Sequence, residues 1–221
     1  MILVRTVMRS RSLFVIALLC LMATVPLRAD DRPAPPPAKD AMAWPALDNH
    51  KDEQVVIAAE PFDTAEKCRI FRVDYLKYHF MPIRIIVTNN SDRPISLSDA
   101  RINFFSSAND KILAAEPDDV DRRVSLKDKK GHDIPIGPVR LHTKGKNTDN
   151  KIEQDFDEFE YSALAVEPHT THSGFLFYDM DGLGSTPLRG AKLVLRELRD
   201  ADGKELFYFE IPFNKYLNAQ H

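Results

Sequence analysis

Short apolar runs separated by turn-forming residues make up most of the chain after position 53. Runs of this length and spacing, with few long helical patterns between them, are typical of an antiparallel β-sandwich or barrel. The pattern predicts strands at 55–59, 69–73, 83–88, 95–97, 101–106, 161–166, 174–178, 191–198 and 205–211. We therefore expect an all-β domain of roughly seven to nine strands over residues 53–217.

Two junctions between these runs have strong turn chemistry. Asp202 and Gly203 lie between two alternating runs, which is the pattern of a β-hairpin. The Asn-Asn-Ser-Asp cluster at 89–92, followed by Pro94, predicts that the chain reverses after the strand at 83–88.

Helical patterns are confined to the connections. Residues 63–66 and 74–80 can each form a short helical turn. Ile152, Phe156 and Phe159 are spaced by four and three residues, so they would share one face of a short helix over 151–159. That face could cover an open end of the sandwich, or it could bind a partner.

A long polar insertion at 116–150 interrupts the pattern of strands. Insertions of this length are uncommon inside a compact domain and are often functional. Residues 127–151 are locally basic, and a flexible solvated loop is the alternative to a contact surface for an anionic partner. The predicted contact surface combines basic residues with the apolar helical face: Lys129, Lys130, Arg140, Lys144, Lys146, Ile152, Phe156 and Phe159.

The first 29 residues have the order of a secretory signal peptide. Three arginines precede an uninterrupted apolar stretch at 13–27, and Arg28-Ala29 follows it. The stretch is shorter than the roughly 20 residues of a membrane-spanning helix, so we expect cleavage near Ala29 and no transmembrane helix in the mature chain. Cleavage after Ala23 and lipid attachment at Cys20 are alternatives.

Residues 30–52 form a second compositional segment. Five prolines lie between positions 33 and 45, and their fixed φ and missing N–H favour an extended spacer. We therefore predict a proline-rich linker, with Trp44 either docked on the domain or exposed as a binding contact.

Charge and cysteine content narrow the class of partner. The chain has 30 Lys and Arg against 33 Asp and Glu. Residues 1–29 contain four arginines and no acid, so cleavage leaves 26 basic against 33 acidic residues and a net charge of −7. This acidity, together with a basic stretch that lacks interleaved aromatics, argues against nucleic acid. After loss of Cys20 only Cys68 remains, so the mature fold has no internal disulfide.

Several residues resemble parts of metal sites. His169 and His172 are three positions apart, but Pro168 and the following β run place them in a turn and a strand start rather than on a helix. Acidic clusters at 118–121, 179–181 and 200–202 resemble calcium loops without the complete alternation, and Asp179 with Asp181 is the best pair. We therefore predict that the protein holds no metal and no cofactor. The weak candidates for metal ligands are His169, His172, Asp179 and Asp181.

Nucleophile motifs are incomplete as well. Ser173 stands between His172 and Gly174 but lacks the preceding glycine of a nucleophile elbow. Cys68 is expected to be a buried and unreactive thiol. No catalytic residue is predicted.

Three segments share the marks of a known fold. They are YLKYHFMPIRIIVTNNSDRPISL, VEPHTTHSGFLFYD and LVLRELRDADGKELFYFEIPF. Together they resemble the immunoglobulin-like domains of bacterial secreted proteins of unknown function, over about residues 53–215. The resemblance implies an immunoglobulin-like antiparallel β-sandwich and an exported protein, periplasmic or extracellular, and it transfers no catalytic residue.

Three functions are compatible with these features. The first is a non-enzymatic binding or structural module of the bacterial cell envelope, with an unidentified envelope protein or anionic polymer as partner. The second is a periplasmic metal-dependent or hydrolytic enzyme that uses His169, His172 and nearby acids. The third is an assembly or chaperone accessory that offers an edge strand to its partner.

Overall fold

A computed structural model describes residues 32–130 and 146–220 of the chain. In its described part, the unit Pro33–His221 has ten strands and three α-helices. The strands are β1 (Leu47–His50), β2 (Val55–Pro61), β3 (Phe80–Asn89), β4 (Ile95–Ser96), β5 (Arg101–Phe105), β6 (Lys111–Ile112), β7 (Ala165–Val166), β8 (Thr170–Asp179), β9 (Lys192–Arg196) and β10 (Phe209–Pro212). The helices are α1 (Pro117–Lys130), α2 (Lys146–Phe159) and α3 (Asn214–Asn218).

The strands form three antiparallel sheets. The first sheet has the order β1-β2-β3-β8, the second has the order β10-β9-β5-β6, and β4 pairs with β7 in a small third sheet. β3 is the centre of the first sheet, where it pairs with β2 along one edge and with β8 along the other. The prediction of an all-β architecture is confirmed at this level.

The inner faces of the first and second sheets share one apolar core. Ile57 and Ile85 enter it from the first sheet, and Phe104, Leu193 and Ile211 enter it from the second. All five side chains are fully buried. Successive residues of a strand point to opposite faces, so only every second residue of a strand points into this core. The pairing register determines which residues these are.

The outer face of the first sheet is covered too. Near β8, Phe175 and Phe177 pack against α1, α2 and the connection 62–80. Near β2, Val56 and Ala58 pack against the segment that holds Ala41 and Trp44. The first sheet is therefore buried on both faces, which explains why all ten residues of β3 are buried.

Both predicted turns are confirmed. β9 and β10 form an antiparallel hairpin with Phe209 opposite Leu195, and Gly203 at its turn has a φ of 79°, a conformation that favours glycine. After β3, the side-chain amide of Asn89 donates to the carbonyl oxygens of Arg93 and Val166, at 2.7 and 3.0 Å. These two bonds fix the reversal of the chain.

Several segments differ from the sequence-based prediction. The predicted strands at 161–166 and 205–211 are shorter in the structure, at Ala165–Val166 and Phe209–Pro212. β1 lies inside the segment 30–52, which was predicted to be a linker, and it pairs with β2. The predicted strand at 69–73 is replaced by a 3₁₀ turn, Lys67–Ile70. The insertion 116–150 contains α1, whose Val120 and Val124 lie one turn apart and are buried. Pro117 at its start and two acids in its first turn favour that helix.

Within 32–130 and 146–220, no helix is long and apolar enough to cross a membrane. The same residues contain no disulfide, and Cys68 is a buried free thiol. Its Sγ lies 3.1 Å from the carbonyl oxygen of Phe62, to which it donates. Burial raises the pKa of the Cys68 thiol to about 12, so it is protonated at neutral pH and a poor nucleophile.

Candidate functional site

A buried arginine lies at the centre of the covered outer face of the first sheet. Arg84 is on β3, directly opposite Glu60 of β2 and Phe175 of β8. It occupies the boundary between the apolar cluster under α2 and the apolar cluster under Trp44. Only 3 % of Arg84 is exposed. A guanidinium at such a depth carries a large desolvation cost unless its donors are paired.

The donors of Arg84 are only partly used. Its Nε and one terminal nitrogen donate to the Ser173 hydroxyl oxygen, at 3.2 and 2.9 Å. The other terminal nitrogen is 3.9 Å from Glu60 Oε2, beyond hydrogen-bond range. Neither that nitrogen nor Glu60 Oε2 has a hydrogen-bond partner among the described residues, and the buried Trp44 Nε1 lacks one as well.

Burial sets the electrostatics of this pair. It lowers the pKa of Arg84 and raises the pKa of Glu60, because both charged forms lose hydration. Each partner opposes the shift of the other through its charge. The guanidinium also lies over the Trp44 ring, 5.8 Å from the ring centre, so a cation–π contact supplies part of the missing solvation.

Arg84 lines a cavity of about 270 Å³ on this outer face. Ser173 and Phe175 of β8 form its floor with Arg84, and Glu158 and Phe159 at the end of α2 form one wall. The proline-rich segment 35–38 forms another wall, with its prolines exposed to solvent on their far side. We call this space the Arg84 cavity.

A second buried charge holds the α2 wall in place. Asp155 is fully buried and accepts hydrogen bonds from the backbone N–H groups of Arg72 and Val73, from the Arg72 guanidinium and from the Tyr75 hydroxyl. Burial raises the pKa of Asp155, and the bonds from Arg72 oppose that rise. Because Glu158 also pairs with Arg72, at 2.7 Å, the end of α2 is fixed beside the cavity.

The arrangement is suited to binding rather than to nucleophilic attack. The Ser173 oxygen accepts two bonds from Arg84, so its own hydrogen is available to an acceptor. Arginine has no acceptor atom and cannot take the serine proton as a general base would. A ligand that carries acceptor oxygens would satisfy both the Ser173 hydroxyl and the unpaired nitrogen of Arg84.

The predicted basic contact residues fall largely outside the described side chains. Lys129 and Lys130 are at the end of α1 and Lys146 is at the start of α2, but only their backbone is described. Arg140 and Lys144 lie outside the described residues. The basic contact surface therefore stays a prediction.

The apolar half of that predicted surface is not available to a partner. The helix at 151–159 is confirmed and extends back to Lys146. Its residues Ile152, Phe156 and Phe159 are only 1, 4 and 5 % exposed and pack in the cluster against β8. This face therefore covers the outer face of the first sheet rather than an open end of the sandwich, and its three apolar side chains are not exposed for the predicted partner contact.

The two candidate histidines lie in different settings. His169, with a φ of 54°, precedes β8 and its Nε2 is 2.9 Å from Asp92 Oδ1. His172 lies within β8 opposite Val87 and is exposed. In the described part of the chain, no three His, Cys, Asp or Glu side chains are grouped to hold a metal ion.

The acidic clusters pair with basic groups or shape turns. Arg123 of α1 contacts the carboxylates of both Asp179 and Asp181, and His79 Nδ1 is 2.9 Å from Asp181 Oδ1. Residues 118–121 lie in the first turns of α1. In the hairpin turn, Asp200 Oδ1 accepts from the N–H groups of Asp202 and Lys204. Ion pairs and turn hydrogen bonds therefore use carboxylates of the clusters at 179–181 and 200–202, and Asp118 and Asp119 lie in the first turn of α1.

Comparison with protein-family models, with curated proteins and with solved structures found no match for this chain. The functional argument therefore depends on the chain's own side chains. Sequence reasoning missed Arg84, although one signal was present: a single charged residue interrupts the β-branched run IRIIV. In a sheet with one solvated face that arginine would point into water, and its burial depends on α2 and the Trp44 segment.

Proposed function

We propose that the chain is an exported, non-enzymatic binding module that holds a small acceptor-bearing ligand, such as a carboxylate, in the Arg84 cavity. Two observations carry this proposal: one guanidinium nitrogen of Arg84 has no hydrogen-bond partner among the described residues, and the same arginine lines a cavity beside Ser173. Buried donors are paired in the great majority of cases, and an orphan of this kind is an unmet requirement for an acceptor.

The fold and location in this proposal have their own support. The signal-like order of the first 29 residues favours export to the bacterial periplasm or exterior. Two four-stranded antiparallel sheets with a shared core favour the immunoglobulin-like sandwich that the sequence resembles. In that arrangement the Arg84 cavity is an addition to the sandwich, built by α2 and the segment 35–38 on its outer face.

The charge around the cavity favours a small ligand of at most one negative charge. Glu60 lies behind Arg84 and partly offsets its charge, while Arg72 neutralises Glu158 at the wall. A large polyanion would meet those two carboxylates and the overall acidity of the protein. A carboxylate or an amide carbonyl matches the two available donors, Arg84 and Ser173, at much lower cost.

Trp44 offers a direct test, because it is the only tryptophan in the chain and lies against the Arg84 guanidinium. Sodium acetate and sodium phosphate are titrated at constant ionic strength while the Trp44 emission is recorded. We expect a saturable change with acetate in the natural protein and no change in Arg84→Met. Arg196→Met, which removes a surface arginine stacked on Tyr208, is the matched control and should respond like the natural protein.

Arg84→Met leaves Glu60 without its partner, so Glu60→Gln/Arg84→Met is measured beside it. If acetate produces no saturable change in the natural protein, or the same change in the Arg84 variants, the cavity is not the binding site. A response to phosphate alone would replace the proposed carboxylate by a more highly charged ligand.

A further inference from the structure

A second cavity lies on the opposite face of β8, at the edge of the core between the two sheets. It has a volume of about 290 Å³, near the lower end of the range for small-molecule sites. Leu97, Ile102 and Leu176 from the core form its inner wall, and residues 161–164 form its outer wall. We call it the Tyr161 cavity.

The edge of β8 positions the outer wall. Tyr161 N–H donates to the carbonyl oxygen of Phe175 at 3.0 Å, and Glu160 bridges Phe175 in parallel. This close approach requires Gly174, because a Cβ there would lie 2.4 Å from the Tyr161 Cα. Further on, the N–H of Leu97 donates to the carbonyl oxygen of Leu164 at 2.8 Å and closes the wall.

Small side chains leave the space open. Ala100, Ala114 and Ala163 line the cavity where larger apolar residues would fill it. The space is open to solvent beside the exposed Ser162 and Leu164, and its apolar lining lacks the dispersion contacts that a packed neighbour would supply. A ligand with an apolar body would restore those contacts.

Two polar side chains, Tyr161 and Ser162, interrupt the apolar lining. Ser162 is exposed to solvent, whereas the Tyr161 hydroxyl is buried and has no hydrogen-bond partner among residues 32–130 and 146–220. Burial raises the pKa of Tyr161, so the phenol stays neutral and keeps its O–H donor. The site therefore combines mostly apolar walls with one buried donor, which is the usual composition of a small-molecule pocket.

We infer that the Tyr161 cavity binds a small, neutral, apolar molecule with one carbonyl oxygen, and that this oxygen accepts from the Tyr161 hydroxyl. A charged ligand is excluded because no charged side chain lines the cavity. The inference does not depend on the function proposed for the Arg84 cavity, which lies on the other face of the same strand and has a different reporter.

Acetophenone and ethylbenzene serve as matched probes, since both have an aromatic ring and a two-carbon substituent but only acetophenone has an acceptor. Binding is followed through the methyl signals of Leu97, Ile102 and Leu176 in ¹H–¹³C spectra of the whole protein. We expect acetophenone to bind about fivefold more tightly than ethylbenzene, as one net hydrogen bond would give. In Tyr161→Phe that preference should disappear, and in Ala100→Leu both probes should lose their effect.

Each result decides the inference. No shift of the three methyl signals with either probe would overturn it, and so would equal affinity of both probes for the natural protein. Retention of the acetophenone preference in Tyr161→Phe would assign the donor to another group and overturn the role of Tyr161. If Ala100→Leu does not fold, Tyr161→Phe carries the test alone, because it removes one oxygen and keeps the packing.

Discussion

Arg84 and Tyr161 are polar residues that each have one buried donor without a hydrogen-bond partner among the described residues. Each lines one of the two cavities, which lie on opposite faces of β8. A buried donor without a partner keeps its full desolvation penalty. A bound acceptor would offset that penalty, which is the physical basis of both proposals.

Glu60 lies beside Arg84, and its buried carboxyl group should make the stability of the protein depend on pH. Burial raises its pKa above the ordinary value of 4.5, against the charges of Lys67 and Arg84, while Asp63 adds to the rise. The folded state therefore holds the Glu60 proton more tightly than the unfolded chain does. The resulting stability is fully present below about pH 4.5 and is lost as the pH rises through the raised pKa, with a slope of at most about 1.4 kcal/mol per pH unit.

Urea denaturation between pH 4 and 8 measures this pH dependence. The free energy of unfolding of the natural protein, minus that of Glu60→Gln, should fall as the pH rises through this window. Glu66→Gln, a change at an exposed carboxylate nearby, should leave the profile of the natural protein intact. A pH-independent difference for Glu60→Gln would show that its carboxyl group ionises alike in both states.

At the level of elements, the sequence predicted strands well and the covering layer poorly. Alternation and turn residues located β2, β3, β5, β8 and the β9–β10 hairpin, because their pattern is local. β1 was missed because a proline-rich stretch precedes it, and its pairing with β2 is a tertiary contact. α1 was missed because only Val120 and Val124 of its first turns are buried, although Pro117 and the acids behind it mark a helix start.

The sequence did not reveal the candidate sites either, because they too depend on tertiary contacts. Arg84 is an isolated charge in an apolar run, Tyr161 stands between Glu160 and Ser162, and neither has a motif that spacing could reveal. Their burial depends on elements distant in sequence, α2 for Arg84 and the core beside Leu97 and Ile102 for Tyr161. Of the predicted sites, the acidic pair Asp179 and Asp181 is used for ion pairs with Arg123.

The attachment of α2 to the first sheet rests on Asp155. Asp155→Asn removes the charge that five N–H and O–H contacts share, and it turns an amide donor toward the backbone donors of Arg72 and Val73. We expect it to lower the free energy of unfolding by about 3 kcal/mol, as breaking a buried pair does. Asp157→Asn, at an exposed position of the same helix, should cost less than about 0.5 kcal/mol.

Hydrogen exchange separates local from global loss in Asp155→Asn. Amide protection in α2 should fall more than protection in β3, which keeps its pairing on both sides. Equal stability of the Asp155 and Asp157 variants would mean that the Arg72–Glu158 pair alone holds the helix.

For the whole molecule, the question is where the folded unit begins. The segment 33–40 is exposed and contributes chiefly a wall of the Arg84 cavity. The segment 41–50 is different, because Ala41 N–H donates to Thr88 Oγ1, β1 extends the first sheet, and Asp48 accepts from the N–H of Glu210 in β10. β1 therefore joins the first sheet to the edge of the second.

Two truncated chains test this boundary. A chain that starts at Lys39 should match the free energy of unfolding of a chain that starts at Pro33 within about 1 kcal/mol, since residues 33–38 are exposed. A chain that starts at Glu53 loses β1, the buried Ala41 and Ala46, and the stacking of His50 on Phe209 at 3.8 Å. It should be less stable by at least about 3 kcal/mol, because the inner edge of β2 and the Phe209 ring become exposed to water. Equal stability of the two chains would instead mean that residues 39–52 belong to the predicted proline-rich linker. The fold would then begin at β2.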